Sequence, residues 1–213
     1  MAIVNIQGVT NSTTGTSLAI TITASGAGNL IVVSVILGAT RNITSVTDSA
    51  GNTYAEAYAS GAPGLRFQWY GVQTTGGSTT VTVNIDGAAT GITAHVHEVD
   101  GTSFNQATVF DQTSSGSGSG TSGSVSSFTP DANGQLVEAC IQFDSDVSSP
   151  VAGTNYTLGT SSGTVSNQEY YRLLSSGSET APITWTTSVG WNAFAGTYTE
   201  AEPAGGAALF GLL

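Results

Sequence analysis

Gly28-Asn-Leu-Ile-Val-Val-Ser-Val-Ile36 returns later in the chain as Gly134-Gln-Leu-Val-Glu-Ala-Cys-Ile-Gln142. In both places a glycine punctuates the chain and a short apolar run follows, the signature of a strand bounded by a turn. The surroundings repeat as well. Ser45-Val-Thr-Asp-Ser-Ala-Gly-Asn-Thr-Tyr54 has a weaker echo in Ser149-Pro-Val-Ala-Gly-Thr-Asn-Tyr156. Leu65-Arg-Phe-Gln-Trp-Tyr70 is answered by Gln168-Glu-Tyr-Tyr-Arg172, and each half closes on an alternating run, Ile92 to Val99 and Ala193 to Thr199. No capped amphipathic run of helical period interrupts this plan. The chain therefore reads as all-β: a single two-sheet β-sandwich, jelly-roll-like, built from two pseudo-repeated halves.

Alternation assigns faces along each run, because successive side chains of a strand point to opposite sides of the sheet. Leu18-Ala-Ile-Thr-Ile-Thr23 alternates. Thr79 to Ile85 places Val81, Val83 and Ile85 inward. Leu30 to Leu37 is apolar almost throughout, as expected of a strand covered on both faces. Ile92, Ala94 and Val96 share one face, while His95, His97 and Val99 share the other. In the second half, strands are expected at Leu136 to Phe143, Asn155 to Leu158, Glu169 to Leu174, Pro182 to Thr186 and Asn192 to Glu200.

The boundaries follow from composition. Residues 1–17 form an N-terminal arm or edge strand, and residues 18–200 form the sandwich. Its halves, 18–112 and 125–200, are joined by Thr113-Ser-Ser-Gly-Ser-Gly-Ser-Gly-Thr-Ser-Gly-Ser124, whose composition is that of a flexible loop. Each half has few strands for a core of its own, so the halves are expected to intertwine, each giving strands to both sheets. Residues 201–213 form an apolar C-terminal arm. Its Leu209, Phe210, Leu212 and Leu213 are candidate partner-docking residues, since such a patch in water calls for a cover.

Charge narrows the function. Lys and Arg together number 3, all of them arginine (Arg41, Arg66, Arg172), against 14 carboxylates, for a net charge of −11. A nucleic acid needs cationic contacts to its phosphates, so nucleic acid is not an expected partner. An anionic membrane surface is disfavoured in the same way. Met1-Ala-Ile-Val-Asn-Ile6 lacks the basic and long apolar regions of a secretory signal. Cys140, the single cysteine, falls inside an expected core strand and reads as a small buried apolar side chain.

Several arrangements of residues bear on chemistry. His95 and His97, at i and i+2, point to one face as β-sheet metal sites require, but no third histidine exists and Glu98 would face away, so no metal is assigned. Gly-x-Ser-x-Gly has no strand-turn-helix context in this sequence, which a nucleophile elbow requires, and the serines are too numerous to single one out. Nothing in sequence pairs Asp144 with Asp146, or Asp48 with Glu56, across a cleft, as glycoside hydrolysis needs. Asp48-Ser-Ala-Gly-Asn52 is acidic enough for calcium, yet Asp and Asn stabilise a turn there without an ion. The expectation is a non-enzyme with no cofactor. Trp191 and Tyr170 are candidate ligand-stacking residues for a glycan.

Gly28-Asn-Leu-Ile-Val-Val-Ser-Val35, Ile43 to Tyr54, His97-Glu-Val-Asp-Gly101, Gly134-Gln-Leu-Val137 and Trp191 before Ala193-Phe-Ala195 together resemble a diffuse family of β-sandwich proteins of tailed-phage virions and bacterial surfaces. The resemblance spans most of residues 18–200 and carries no catalytic residues. It implies a non-enzymatic virion structural protein on the virion surface, a bacteriophage capsid decoration or cementing subunit that contacts major capsid or other virion proteins and copies of itself. A carbohydrate- or receptor-binding module, on a phage tail or bacterial surface, and a self-assembling extracellular fibre subunit are the alternatives.

Overall fold

In a computed structural model the described residues are 3–61, 64–100, 104–130, 135–160, 164–174 and 177–200. The first half supplies β1 (Val4–Ser25), β2 (Leu30–Arg41), β3 (Ile43–Asp48), β4 (Tyr54–Ala59), β5 (Gly64–Val72) and β6 (Gly77–Asp100). The second supplies β7 (Phe110–Gly123), β8 (Gln135–Ser148), β9 (Val151–Ala152), β10 (Thr157–Leu158), β11 (Thr164–Leu174) and β12 (Ile183–Thr199). Each set forms one six-stranded sheet, and all the pairings are antiparallel. The result is the two-sheet, jelly-roll-like β-sandwich of pseudo-repeated halves.

The repeat holds strand by strand. The first sheet runs β1-β6-β2-β5-β4 with β3 on β6, and the second runs β7-β12-β8-β11-β10 with β9 on β12. Each strand of the first half thus has a counterpart six places on. The expected intertwining does not occur, because each half builds a complete sheet.

Long bent strands make that possible. Residues 18–22 of β1 pair with 79–83 of β6, whereas residues 92–99 of β6 pair with β2, and register shifts fall between these stretches of β1. Leu18, Ile20, Ile22, Val46, Val81, Val83 and Ile85 therefore return over Ile31, Val33, Val35 and Leu37 and close a core within the first half. Val137, Ala139, Ile141, Tyr170, Ile183, Trp185 and Ala195 do the same in the second. Val81, Val83, Ile85, Ile92, Ala94 and Val96 are buried as expected, and the opposite face of the last stretch, with His95, His97 and Val99, is buried too.

The Gly/Ser stretch 113–124 is not a loop. Most of it is β7, paired along β12 from Ser122 opposite Thr184 to Thr113 opposite Gly196. Backbone ladder bonds do not depend on side chains, so low apolar content does not forbid a strand whose partner is strong. Close packing explains the glycines: a Cβ on Gly116 would lie 2.2 Å from the Ser124 carbonyl oxygen, and one on Gly118 would lie 2.9 Å from the Trp191 ring. Of the segment read as an N-terminal arm or edge strand, the part from Val4 is an edge strand, and it continues past Leu18 as β1. Residues 201–213, with Leu209, Phe210, Leu212 and Leu213, lie outside the described residues.

Candidate functional site

β2 from Leu30 to Leu37 and β8 from Leu136 to Ile141 are buried on both faces. Their odd-numbered residues face their own cores, and their even-numbered ones face the other half. Leu30, Val32, Tyr70 and Val99 meet Leu136, Tyr171 and Tyr198 in one apolar cluster. Ile36 meets Cys140 and Phe194 in another. Cys140 is a free, buried thiol, as expected, and burial pushes its pKa well up.

Between these apolar clusters lies a polar layer. Register makes its members equivalent by pairs. Ser34 sits opposite Gln68 and His95, while Cys140 sits opposite Glu169 and Phe194, so Gln68 and Glu169 occupy matching positions. Val32 sits opposite Tyr70 and His97, and Glu138 opposite Tyr171 and Gly196, so His97 matches Gly196. Gln68 reaches toward Gly196, where its Oε1 accepts a bond from the Tyr198 hydroxyl at 2.9 Å. Its Nε2 donates to Ser34 Oγ and to the Glu138 carbonyl, both at 3.1 Å.

Glu169 reaches toward His97 in the corresponding way. His97 Nδ1 lies 2.6 Å from Glu138 Oε2 and 3.9 Å from Glu169 Oε1. His97 Nε2 lies 2.9 Å from Asn5 Oδ1, and Asn5 Nδ2 donates to the Tyr171 hydroxyl. An amide oxygen only accepts, so Nε2 carries the proton and Nδ1 presents a lone pair to the carboxyls. The exposures of His97, Glu138 and Glu169 are 2%, 1% and 2%. Glu169 Oε1 receives no hydrogen bond from any N–H or O–H among the described residues. The Glu138 and Glu169 carboxyls also hydrogen-bond each other, a contact that raises Glu169 and lowers Glu138. Burial raises the Glu138 pKa to about 8. Burial, then the Glu138 charge, raises Glu169 well above the ordinary carboxylate value. Burial lowers His97, against the opposing pull of Glu169.

His95 is settled differently. Its Nδ1 lies 2.8 Å from Thr10 Oγ1 and its Nε2 lies 2.7 Å from Asn167 Oδ1. Burial lowers its pKa to about 4. The two histidines point to one face, as alternation requires, and each finds separate partners there. Glu98 points the other way and accepts from Asn29 Nδ2 at 2.6 Å.

The other sequence candidates fall as follows. Tyr170 is fully buried in the second half's core and donates its hydroxyl to the Ala181 carbonyl at 2.7 Å. It therefore offers no face to a ligand. Trp191 is half-buried and lines an open depression of about 680 Å³ with Tyr58, Arg66, Ser115 and Asn192. Asp48 anchors a turn: its carboxylate accepts from the backbone N–H of Ala50 and Asn52, from Asn52 Nδ2 and from the Tyr54 hydroxyl. Asp144 and Asp146 are exposed. No catalytic motif is found in the chain.

Sequence reasoning missed Glu138 and Glu169. A signal existed: Glu138 stands in the echo where Val32 stands in the first run, a charge placed in a strand expected to be covered on both faces. A buried charge needs a partner, and that partner lay far away in sequence.

No protein-family model matches the chain, and no curated protein matches it. Among solved structures, a chain of the atomic structure of Sulfolobus Turreted Icosahedral Virus matches at 15% identity over 92% of this chain and 93% of that chain, with a TM-score of 0.21. At that score nothing is transferred from it.

Proposed function

We propose that this protein is a non-enzymatic structural component of a virion surface, a capsid decoration or cementing subunit that works by repeated protein–protein contacts. The observation that carries the reading is the outer strand of the first sheet. Among the described residues β1 pairs on one side only, with β6, and it exposes Val4 at 53% and Ile6 at 44%. An edge strand with exposed apolar side chains is a template for pairing with another chain. Segment 204–213, apolar and rich in glycine, supplies a second contact through Leu209, Phe210, Leu212 and Leu213. Many modest contacts repeated over a shell hold more firmly than any one of them. The sequence resemblance to virion β-sandwiches supports the same reading. So does the net charge of −11, which keeps a hydroxyl-rich exterior soluble.

Sedimentation velocity of the full chain over a concentration series tests this. Concentration-dependent association, abolished in a Val4→Lys, Ile6→Lys double variant, is the expected result. Both positions are exposed, so the fold should tolerate the change. A full chain that stays monomeric throughout contradicts the reading.

One observation favours a second reading, a carbohydrate- or receptor-binding module. The Trp191 depression combines an aromatic ring with Arg66, Asn192 and serine hydroxyls, the mix of apolar wall and polar groups that ligand pockets use. Glycan-array binding that disappears in Trp191→Ala would favour it over the assembly role.

A further inference from the structure

Two carboxyls and one imidazole meet in the polar layer between the halves, and no lysine or arginine among the described residues reaches them. The chain has no lysine. Arg41 bonds to the Ala88 carbonyl, Arg66 to Gln142, and Arg172 to Glu179. Carboxyls taken out of water must either keep their protons or gain a positive charge beside them. His97 Nδ1, a Glu138 oxygen and a Glu169 oxygen all lie within 4.8 Å of one another, the reach of ligands around one ion. Glu169 Oε1, buried and without a donor, is directed into this group.

We propose that His97, Glu138 and Glu169 bind one divalent transition-metal ion, with Zn²⁺ as the best-matched metal. One imidazole nitrogen and two carboxylate oxygens form a ligand set that zinc accepts. Calcium wants six or more oxygens, which this site does not offer. The charge of the ion would cancel that of the two carboxylates.

The surroundings are those of a supported site. Asn5 fixes the His97 ring through Nε2 and leaves Nδ1 free to ligate, the role that outer partners play for metal-bound histidines. Gly159 makes room for Glu169, since a Cβ there would lie 1.4 Å from Glu169 Oε2. A pocket of about 210 Å³, lined by Asn5, Gly8, Leu158, Gly159 and Tyr171 beside His97 and Glu169, gives an ion a way in and a water a place as further ligand. The ion would clip the halves together, because His97 belongs to β6 of the first and the glutamates to β8 and β11 of the second.

The test uses the full chain, stripped with a chelator, incubated overnight with Zn²⁺ and desalted. Elemental analysis should find one zinc per chain, the thermal midpoint should rise, and Co²⁺ in place of zinc should give visible absorption bands. Glu138→Gln is the decisive variant. Its amide N–H can donate to His97 Nδ1, so the fold should be kept while a charged ligand is lost. Both Glu138→Gln and Glu169→Gln should lose about 100-fold or more in zinc affinity, beyond what loss of an outer partner causes. Wild-type protein that returns without zinc overturns the proposal. So does zinc bound equally well by wild type and the two variants, which would place it elsewhere.

Discussion

At the scale of single residues, the buried polar atoms of the layer between the halves are the sensitive ones. Gln68 Oε1 has the Tyr198 hydroxyl as its donor, at 2.9 Å. Tyr198→Phe removes that donor without changing the ring, and leaves a buried acceptor unpaired. A cost of about 1–3 kcal/mol is expected, read as a lower urea midpoint at unchanged slope. A change below a few tenths would mean that water reaches Gln68. Individual residues differed in how far they could be read from sequence. His95 and His97 were legible as a pair on one face, because period two fixes direction. Their partners were not, because Glu138 and Asn167 are brought to them by packing between halves, with sequence separations of 41 and 72. The Asp48 turn was legible in full, since an Asx turn is satisfied by its own neighbouring backbone.

Among the elements, β7 departs most from its sequence. Ser and Gly have little β-propensity, and the stretch has the composition of a linker. Its pairing is imposed by β12, and its glycines are required by contact. Those amides of residues 113–119 that point at β12, every second one, should thus be protected from hydrogen exchange well above a free loop, as their ladder demands. Gly116→Ala should destabilise by about 1–3 kcal/mol, because its Cβ would press on the Ser124 carbonyl. Ser117→Thr, exposed on the same strand, should change stability by less than about 0.5 kcal/mol. Rapid exchange through 113–119 would return this segment to the status of a loop. Strands with clean alternation, such as Leu18 to Ile22 and Val81 to Ile85, were legible because one buried face specifies them. The continuity of β6 and of β12 was not, since Gly and polar residues at their bends read as breaks.

In the whole molecule, the repeat in sequence is a repeat in topology, and the two halves meet through matching faces. What sequence left out was which strands share a sheet, because an echo between halves does not distinguish an intertwined from a segregated pair. Contact between the halves at Gly196 depends on the missing side chain: a Cβ would lie 2.2 Å from Gln68 Oε1 and 2.8 Å from the Tyr198 hydroxyl. Gly196→Ala should therefore separate the halves locally and destabilise the molecule more than Gly116→Ala, in thermal unfolding followed by tryptophan fluorescence. The exterior carries the proposed role, a structural subunit working through its edge strand and segment 204–213. The most direct measurement is the mass in solution by light scattering of the full chain beside a version ending at Glu202. A structural subunit of this kind should give a defined oligomer or polymer for the full chain and a smaller species for the shortened one. A monomer in both would contradict that role and turn attention to ligands of the Trp191 depression.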